Sequence, residues 1–199
     1  MNLAGETVAG IDEAGRGPLA GPVVAAVVVL GRGQVITGVR DSKQLTAGQR
    51  ATAALRIRVE AQEWALGEAS RQEVDELNIL QATLLAMQRA FAGLSGAPGR
   101  VEVDGNRAPR LAGYAGPVET VVDGDRLRQA IAAASILAKV HRDGLMDQLH
   151  AAYPGYGFGQ HRGYPTAAHR AALAALGPCP EHRRSFGPVR AVLAARNGP

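Results

Sequence analysis

The segment at residues 11–22 constrains the fold of this chain more than any other feature. Two adjacent carboxylates, Asp12 and Glu13, follow an apolar stretch, and a loop with three glycines and two prolines leads into a second apolar run at residues 23–30. Apolar runs separated by a glycine- and proline-rich turn predict a β-hairpin. Neighbouring carboxylates beside apolar structure are costly unless a cation neutralises them, and glycines let a polyanion's backbone come close. The segment therefore predicts a metal-dependent site that acts on phosphate groups.

Length and composition narrow the class of protein. The chain has 199 residues, of which 46% are hydrophobic, and it contains a single cysteine, Cys179. That length supports one sizeable core, and one cysteine excludes an internal disulfide and fits a reducing compartment. The N-terminus lacks the pattern of a signal peptide, and the longest apolar run is too short to span a bilayer. We expect a soluble, cytoplasmic, monomeric protein without membrane contacts.

The charge is distributed unevenly along the chain. The net charge is +4, yet residues 126–199 hold ten Arg or Lys against three acids, and all five histidines as well. Residues 1–125 hold twelve bases and fifteen acids. The late bases are interleaved with aromatic residues: Tyr153, Tyr156, Phe158 and Tyr164. A solvated basic surface is the alternative, but this interleaving favours nucleic acid as a partner.

Hydrophobic periodicity and capping signals predict five strands and four main helices. The strands are expected at residues 7–13, 23–30, 62–69, 100–104 and 116–122, and the helices at 46–60, 70–91, 126–151 and 166–176. A glycine-rich, aromatic loop is expected at residues 153–165. This order predicts an α/β fold in which helices flank a mixed sheet. If the first and fourth strands are neighbours, their ends bring Asp12, Glu13 and Asp104 together.

The glycines after Glu13 also match a second pattern, the dinucleotide-binding fingerprint, as Gly15-x-Gly17-x-x-Ala20. That fingerprint requires a helix directly after the loop. Two prolines and a β-branched run occupy that position here, so the sequence argues against a nicotinamide-binding site.

Two further carboxylates stand next to glycines and allow more than one interpretation. Asp104 ends the fourth predicted strand before Gly105, where a simple Asp-Gly turn is the alternative to a metal ligand. Asp125 precedes the long predicted helix, where an N-cap role and a metal role are compatible. Asp123, two residues earlier, is a rival for the same position.

Six segments, in a fixed order over nearly the whole chain, carry a resemblance to a known family. They are residues 12–23 (DEAGRGPLAGPV), 41–45 (DSKQL), 103–106 (VDGN), 131–143 (IAAASILAKVHRD), 161–166 (HRGYPT) and 182–186 (HRRSF). Each motif alone is moderately specific. The ordered set closely resembles the signature of bacterial ribonuclease HII.

The resemblance implies a ribonuclease H-like fold with a helical C-terminal extension. It implies one catalytic domain over residues 1–199, in which residues from about 153 to 199 form a basic substrate-binding extension. The activity it implies is that of an endoribonuclease that hydrolyses the RNA strand of RNA–DNA hybrids. Such an enzyme also cuts 5′ of ribonucleotides embedded in duplex DNA, leaves 3′-hydroxyl and 5′-phosphate ends, and so removes misincorporated ribonucleotides.

The resemblance also assigns roles to individual residues. Two divalent ions, Mg²⁺ or Mn²⁺, would be held by the catalytic acids Asp12, Glu13, Asp104 and a fourth, which the family pattern identifies as Asp125. The remaining assignments concern the substrate. They are Gly15, Arg16 and Gly17 for the backbone at the ribonucleotide, Tyr164 for the sugar beyond it, and Lys43 for a phosphate.

Two other classes of function remain as alternatives. One is a non-catalytic module that binds duplexes through its basic surface. The other is a different metal-dependent nuclease of the same fold, such as a junction resolvase or an exonuclease. Residues 191–199 contain no clear motif for binding a sliding clamp.

Overall fold

One mixed sheet lies at the centre of the structure, a computed structural model that describes residues 7–196. Its strands are β1 (Val8–Ala14), β2 (Val23–Leu30), β3 (Glu63–Ala69), β4 (Arg100–Asp104) and β5 (Val118–Val121). Their order across the sheet is β3-β2-β1-β4-β5. β2 pairs antiparallel with β1 and β3, and β4 lies parallel to β1 and β5. The predicted mixed five-stranded sheet is confirmed.

Helices cover both faces of this sheet. They are α1 (Ala47–Glu60), α2 (Arg71–Leu77), α3 (Ile79–Ala92), α4 (Gly124–Leu127), α5 (Gln129–Ala152), α6 (Phe158–His161), α7 (Ala167–Leu176) and α8 (Gly187–Arg196). Two short 3-10 helices, Ser42–Gln44 and Pro154–Tyr156, lie in the connections. No helix formed by residues 7–196 is long and apolar enough to cross a membrane.

β2 lies between two apolar layers, and all eight of its residues are buried. Val24 and Val28 pack into the core formed with α1 and α5, whereas Val23 and Val27 pack into the core formed with α2 and α3. A strand covered on both faces has no solvent-exposed position to fill with polar residues. The uninterrupted apolar run at residues 23–30 follows from this placement.

The condition for bringing Asp12, Glu13 and Asp104 together, that the first and fourth strands are neighbours, is met. β1 and β4 are parallel neighbours, and the last pair in their register is Ile11 with Val103. Because parallel strands end at the same edge of a sheet, Asp12 and Asp104 emerge side by side. The predicted hairpin of β1 and β2 is present as well.

Two predicted helices differ from the structure. The helix expected at residues 70–91 is divided at Asn78, whose φ of 73° ends α2 and whose side chain accepts hydrogen bonds from the main chain of Leu80 and Gln81 at the start of α3. The helix expected to begin near residue 126 is preceded by α4 and interrupted at Arg128, which has extended backbone. Both breaks depend on the backbone conformation of a single residue, which the pattern of hydrophobic residues does not reveal.

The C-terminal part contains more helix than predicted. The loop expected at residues 153–165 includes the second 3-10 helix and α6, and α8 was not predicted as a separate element. Part of the segment searched for a clamp motif, residues 197–199, lies outside the described residues, as do residues 1–6.

Gly10 sets how closely α5 approaches β1. A Cβ atom at Gly10 would lie 2.1 Å from the main-chain carbonyl carbon of Ala130 and 2.3 Å from the nitrogen of Ile131. The main chains of strand and helix therefore touch, and only glycine fits between them. This contact fixes the spacing between Asp12 on β1 and Ser135 on α5.

We expect Gly10→Ala to destabilise the protein by about 1–3 kcal/mol, the usual cost of overpacking, because α5 must move away from β1. Urea unfolding monitored by circular dichroism measures this change. Gly144→Ala is the matched control, since Gly144 lies on α5 with no atom near its Cβ position. Alanine there should be neutral or stabilise the helix by about 0.5–1 kcal/mol. Equal stability of Gly10→Ala and the wild type would contradict the close packing.

Candidate active site

One cavity of about 310 Å³ at the edge of the sheet contains every residue predicted for the site. Its lining includes the four acids, the glycine loop, a lysine and a tyrosine: Asp12, Glu13, Asp104, Asp125, Gly15, Arg16, Gly17, Lys43 and Tyr164. These residues are separated by as many as 152 positions in sequence, and β1, β4, α4, the 3-10 helix Ser42–Gln44 and two loops bring them together.

Asp12 and Glu13 leave β1 on opposite sides. Asp12 is buried and accepts hydrogen bonds from Ser135 of α5 and from the Glu13 main chain. Glu13 extends toward the α3 side, where it borders a smaller pocket with Leu80 and Met87. Both carboxylates still reach the same cavity, because the pairing of β1 with β4 has ended one residue earlier.

Asp104 joins the end of β4 to the start of α4. Its Oδ1 accepts a hydrogen bond from the Gly124 main-chain N–H at 2.8 Å, and a carboxylate is favoured at this end of a helix. The contact carries Asp125 into the cavity, where it is 4% exposed. Asp123 is exposed outside the cavity and makes no side-chain cap. Of the two rival acids, therefore, only Asp125 lies with the others.

The acids repel one another and are poorly solvated. Burial raises the pKa of Asp12 well above its ordinary value, and the charges of Glu13 and Asp104 raise it further. Burial also raises the pKa of Glu13, although Arg16 opposes this shift. Burial raises the pKa of Asp104, and Asp125 adds to the effect. Such shifts mark a site that is stabilised by additional positive charge.

Two cations of the chain partly meet this need. Arg16 pairs with Glu13 at 3.2 Å, and Lys43 pairs with Asp125 at 3.1 Å. With these pairs formed, no group of three His, Cys, Asp or Glu side chains within residues 7–196 is arranged to hold a metal ion. The donor chemistry nevertheless fits a hard divalent cation, since four carboxylates and no sulfur or imidazole line the cavity.

The position of Lys43 depends on Asp41, a residue not predicted for the site. Asp41 is buried and accepts hydrogen bonds from the Lys43 main chain at 2.9 Å and from Arg126 at 3.1 Å. The main-chain bond to Lys43 is the main cause of the lowered pKa of Asp41. Asp41 thus attaches the loop that carries Lys43 to α4, which carries Asp125.

Four other cavity residues were also missed: Ser42, Arg50, Ser135 and Lys139. Ser42 and Ser135 share a hydrogen bond of 3.0 Å between their hydroxyl groups, and Lys139 pairs with Asp143 at 2.8 Å. Three of the four lie inside motifs that carried the family resemblance, and that location was the available signal.

Gly15 and Gly17 occupy different structural environments. Gly15 has a φ of +97°, and a Cβ there would lie 2.0 Å from Arg142 Nε, so this glycine is required by the protein's own packing. A Cβ at Gly17 would lie 3.4 Å from Tyr164 Cε1, on the open side of the loop. Gly17 therefore lies directly beside the Tyr164 ring, and both residues line the cavity.

A larger cavity of about 640 Å³ lies between residues 37–40 and α1. Its lining contains Arg40 and Arg56 and no carboxylate. It lacks the oxygen donors of the sheet-edge cavity and does not compete with it as a metal-dependent site.

Comparison with known proteins places this geometry in a family. The family model described as Ribonuclease HII matches residues 9–189. Ribonuclease HII of Paracidovorax citrulli is 60% identical over 94% of this chain and 76% of its own length. That of Nitrosococcus oceani is 55% identical over 98% of this chain and 95% of its own length. The crystal structure of ribonuclease H2 from Pyrococcus horikoshii superposes with a TM-score of 0.80 at 28% identity, covering 96% of this chain and 100% of that one. The chain belongs to the ribonuclease HII family, enzymes that cleave the RNA of RNA–DNA hybrids.

Proposed function

We propose that this protein cuts duplexes on the 5′ side of ribonucleotides, both in RNA–DNA hybrids and at single ribonucleotides embedded in DNA. One observation carries the proposal. Four carboxylates suited to divalent cations share a cavity with a glycine loop that is exposed at Arg16 and Gly17 and with a half-exposed tyrosine. The acids supply a place for chemistry on phosphate, and the loop supplies a place to recognise the sugar beside it. The products would be 3′-hydroxyl and 5′-phosphate ends.

Asp12, Glu13, Asp104 and Asp125 would hold two Mg²⁺ or Mn²⁺ ions. When bound, such a pair activates water and stabilises the leaving oxygen of a phosphodiester. The carboxylates are placed to ligate and do not attack the substrate themselves. Asp12 and Asp104, which emerge side by side from β1 and β4, would be the central ligands of the set.

Lys43 and Arg16 would leave their carboxylate partners, Asp125 and Glu13, when divalent ions bind. Each now neutralises one carboxylate, and each has a long side chain that is largely exposed to solvent. Glu13 and Asp125 would hold a divalent cation in preference to these pairs, since divalent charge interacts with a carboxylate more strongly than a single ammonium or guanidinium. The released Lys43 would then be free to contact a backbone phosphate.

Specificity would come from the 2′-hydroxyl, the group that distinguishes RNA from DNA at one nucleotide. Gly15, Arg16 and Gly17 would contact the backbone at the ribonucleotide through main-chain groups. Tyr164 would pack on the next sugar, where a deoxyribose leaves room for the ring. Because Gly17 lies beside the Tyr164 ring, the loop and the tyrosine would form one continuous surface for that junction.

We further propose that residues 1–199 act as one catalytic domain and as a cytoplasmic monomer. Residues from about 153 onward would bind the duplex with their excess of basic side chains, and removing misincorporated ribonucleotides would be the biological role. Affinity from phosphate contacts falls with salt concentration. The non-catalytic and resolvase-like alternatives offer no explanation for a loop and tyrosine beside the acids.

A DNA duplex containing one ribonucleotide tests the proposal. The protein is incubated with this duplex in Mg²⁺, in Mn²⁺ and in EDTA, beside the same duplex without the ribonucleotide. We expect one cut, 5′ of the ribonucleotide, in the presence of either ion and none in EDTA. Cutting of the all-DNA duplex would favour another nuclease class, and binding without cutting would favour a non-catalytic module.

Asp104→Asn should lower the rate of cleavage by more than about 100-fold, because even the outer partners of metal ligands cost 10–100-fold when removed. The asparagine oxygen can still accept the Gly124 hydrogen bond, so we expect the fold and the duplex affinity to persist. Single-turnover cleavage and fluorescence anisotropy measure the two effects. Retained metal-dependent turnover would exclude Asp104 as a ligand.

Asp12→Asn should stabilise the metal-free protein at pH 7. The native pKa of Asp12 is raised above its ordinary value of 3.8, so the native state holds this proton where the unfolded chain has lost it. The carboxylate therefore reduces stability increasingly as the pH rises from about 4 through the native pKa. Thermal melting in EDTA should show the variant more stable at pH 7 and equal to the wild type near pH 4.

Mg²⁺ should raise the melting temperature of the wild type and raise that of Asp12→Asn much less, since ligands stabilise the state that binds them. Asp123→Asn is the control, because Asp123 is exposed and outside the cavity. Equal responses of all three proteins to Mg²⁺ would contradict a metal site at Asp12.

Gly17→Ala should fold normally, since its Cβ meets only the Tyr164 ring at 3.4 Å. The methyl group would stand against the Tyr164 ring on the surface proposed to bind the junction, so we expect cleavage at an embedded ribonucleotide to fall by about 10–100-fold through misplacement. Steady-state kinetics on the single-ribonucleotide duplex measure this loss. Wild-type kinetics would remove the loop from the recognition site.

A further inference from the structure

Two arginines, Arg142 and Arg183, lie behind the glycine loop with almost no exposure, 1% and 0% respectively. A buried charge normally has a carboxylate partner. In the described part of the chain, every hydrogen bond of these two guanidinium groups goes to a main-chain carbonyl instead. Burial lowers the pKa of Arg183 to about 9 and that of Arg142 to about 10. Both groups therefore remain charged at neutral pH.

Arg183 uses all the donors that a guanidinium has. Its Nε donates to Gly21, its Nη1 to Arg16 and Pro18, and its Nη2 to Gly15 and Pro22, over distances of 2.7–3.1 Å. Its main-chain N–H also donates to the Leu19 carbonyl at 2.8 Å. One residue near the C-terminus therefore binds most of the main-chain carbonyl groups of residues 15–22.

Arg142 joins this loop to the segment before Tyr164. It donates to the carbonyls of Ala20 and Pro22 on one side and to that of Arg162 on the other. The Leu19 N–H donates directly to the Gly163 carbonyl at 2.8 Å. The glycine loop and Tyr164 are thus held in one hydrogen-bonded unit.

These contacts determine where the loop's N–H groups point. The peptide bonds are trans, so each N–H is directed away from the carbonyl of the same peptide. Arg183 binds the carbonyls of Gly15 and Arg16 on the buried side, which turns the N–H groups of Arg16 and Gly17 to the opposite, exposed side. Within residues 7–196 neither of these two N–H groups has a hydrogen-bond acceptor. Hydrogen bonding of a carbonyl to a cation also polarises its peptide and strengthens the N–H as a donor.

We propose that Arg183, assisted by Arg142, is the positioning residue that aims the main-chain N–H groups of Arg16 and Gly17 at the ribonucleotide. This inference rests on the proposed function, because it assumes that the loop recognises the sugar–phosphate backbone. Arg183 does not touch substrate. It acts through the loop, and its buried charge is retained because no neutral side chain supplies five donors in one plane.

Arg183→Lys keeps the positive charge but cannot bind five carbonyls. We expect kcat/KM on the single-ribonucleotide duplex, per folded enzyme, to fall by about 100-fold through misplacement of the loop. Arg142→Lys weakens the contacts that join the loop to the segment before Tyr164, and we expect a loss of kcat/KM here too. This variant replaces Arg183→Lys in the test if Arg183→Lys does not fold. The matched control is Arg196→Lys, an arginine that also donates to two carbonyls, Ala174 and Ala175, on an exposed surface away from the loop. It should keep wild-type kinetics.

A double-mutant cycle separates positioning from simple stabilisation. If Arg183 acts through the loop, its substitution should cost much less in the Gly17→Ala background than in the wild type, because both changes damage one recognition step. Additive losses, or wild-type kcat/KM of the folded Lys variants, would overturn the proposal. The wild type on the same duplex is the internal reference, so failure of the wild type to cut would count against the proposed function alone.

Amide hydrogen exchange provides a test that needs no arginine variant. The Arg16 and Gly17 amides should exchange rapidly in the free protein and become protected when Asp104→Asn binds a single-ribonucleotide duplex. Slow exchange in the free protein, or no protection by the duplex, would also overturn the proposal.

Discussion

The parallel pairing of β1 with β4 is the constraint on which the site depends. Its register ends with Ile11 beside Val103, so Asp12 and Asp104 leave the sheet as neighbours, and Asp104 then anchors α4 with Asp125. The resulting group of acids is held together against desolvation and mutual repulsion, which raise the pKa values of Asp12 and Asp104. The folding free energy of the surrounding core must offset this cost, and the divalent cations that we propose would relieve it.

The second organising feature is the burial of two arginines among carbonyl groups. A loop rich in glycine and proline has few regular hydrogen bonds of its own, and Arg183 and Arg142 supply them from the C-terminal half of the chain. The same contacts connect the loop to the segment of Tyr164. The elements proposed for chemistry and for recognition therefore meet in one cavity, although they are stabilised by different interactions.

Local patterns predicted most of the sheet and the capped helices correctly. Thr46 and Ser70 form the expected capping boxes, and the continuous apolar run became the strand covered on both faces. The helix breaks at Asn78 and Arg128 were not predicted from the sequence, because each depends on one residue's backbone angles and not on a repeating pattern. The candidate acids were identifiable from their positions at strand ends and from the family resemblance. Asp41, Arg142 and Arg183 also lie inside the motifs that carry the resemblance, but their roles were not identifiable from the sequence. Their roles arise from contacts with residues up to 168 positions away.

The chain's order of residues alone is sufficient to predict the α/β class, the family and the candidate acids and glycines, with Asp123 still a rival of Asp125, since these reside in local motifs and strand-end chemistry. The fold was needed for everything that depends on distance between motifs. It separated Asp125 from Asp123, distinguished the packing role of Gly15 from the open position of Gly17, and placed Arg183 behind the loop. The physical reason is that burial, charge coupling and hydrogen bonding act between atoms in contact, and only tertiary structure decides which distant residues touch.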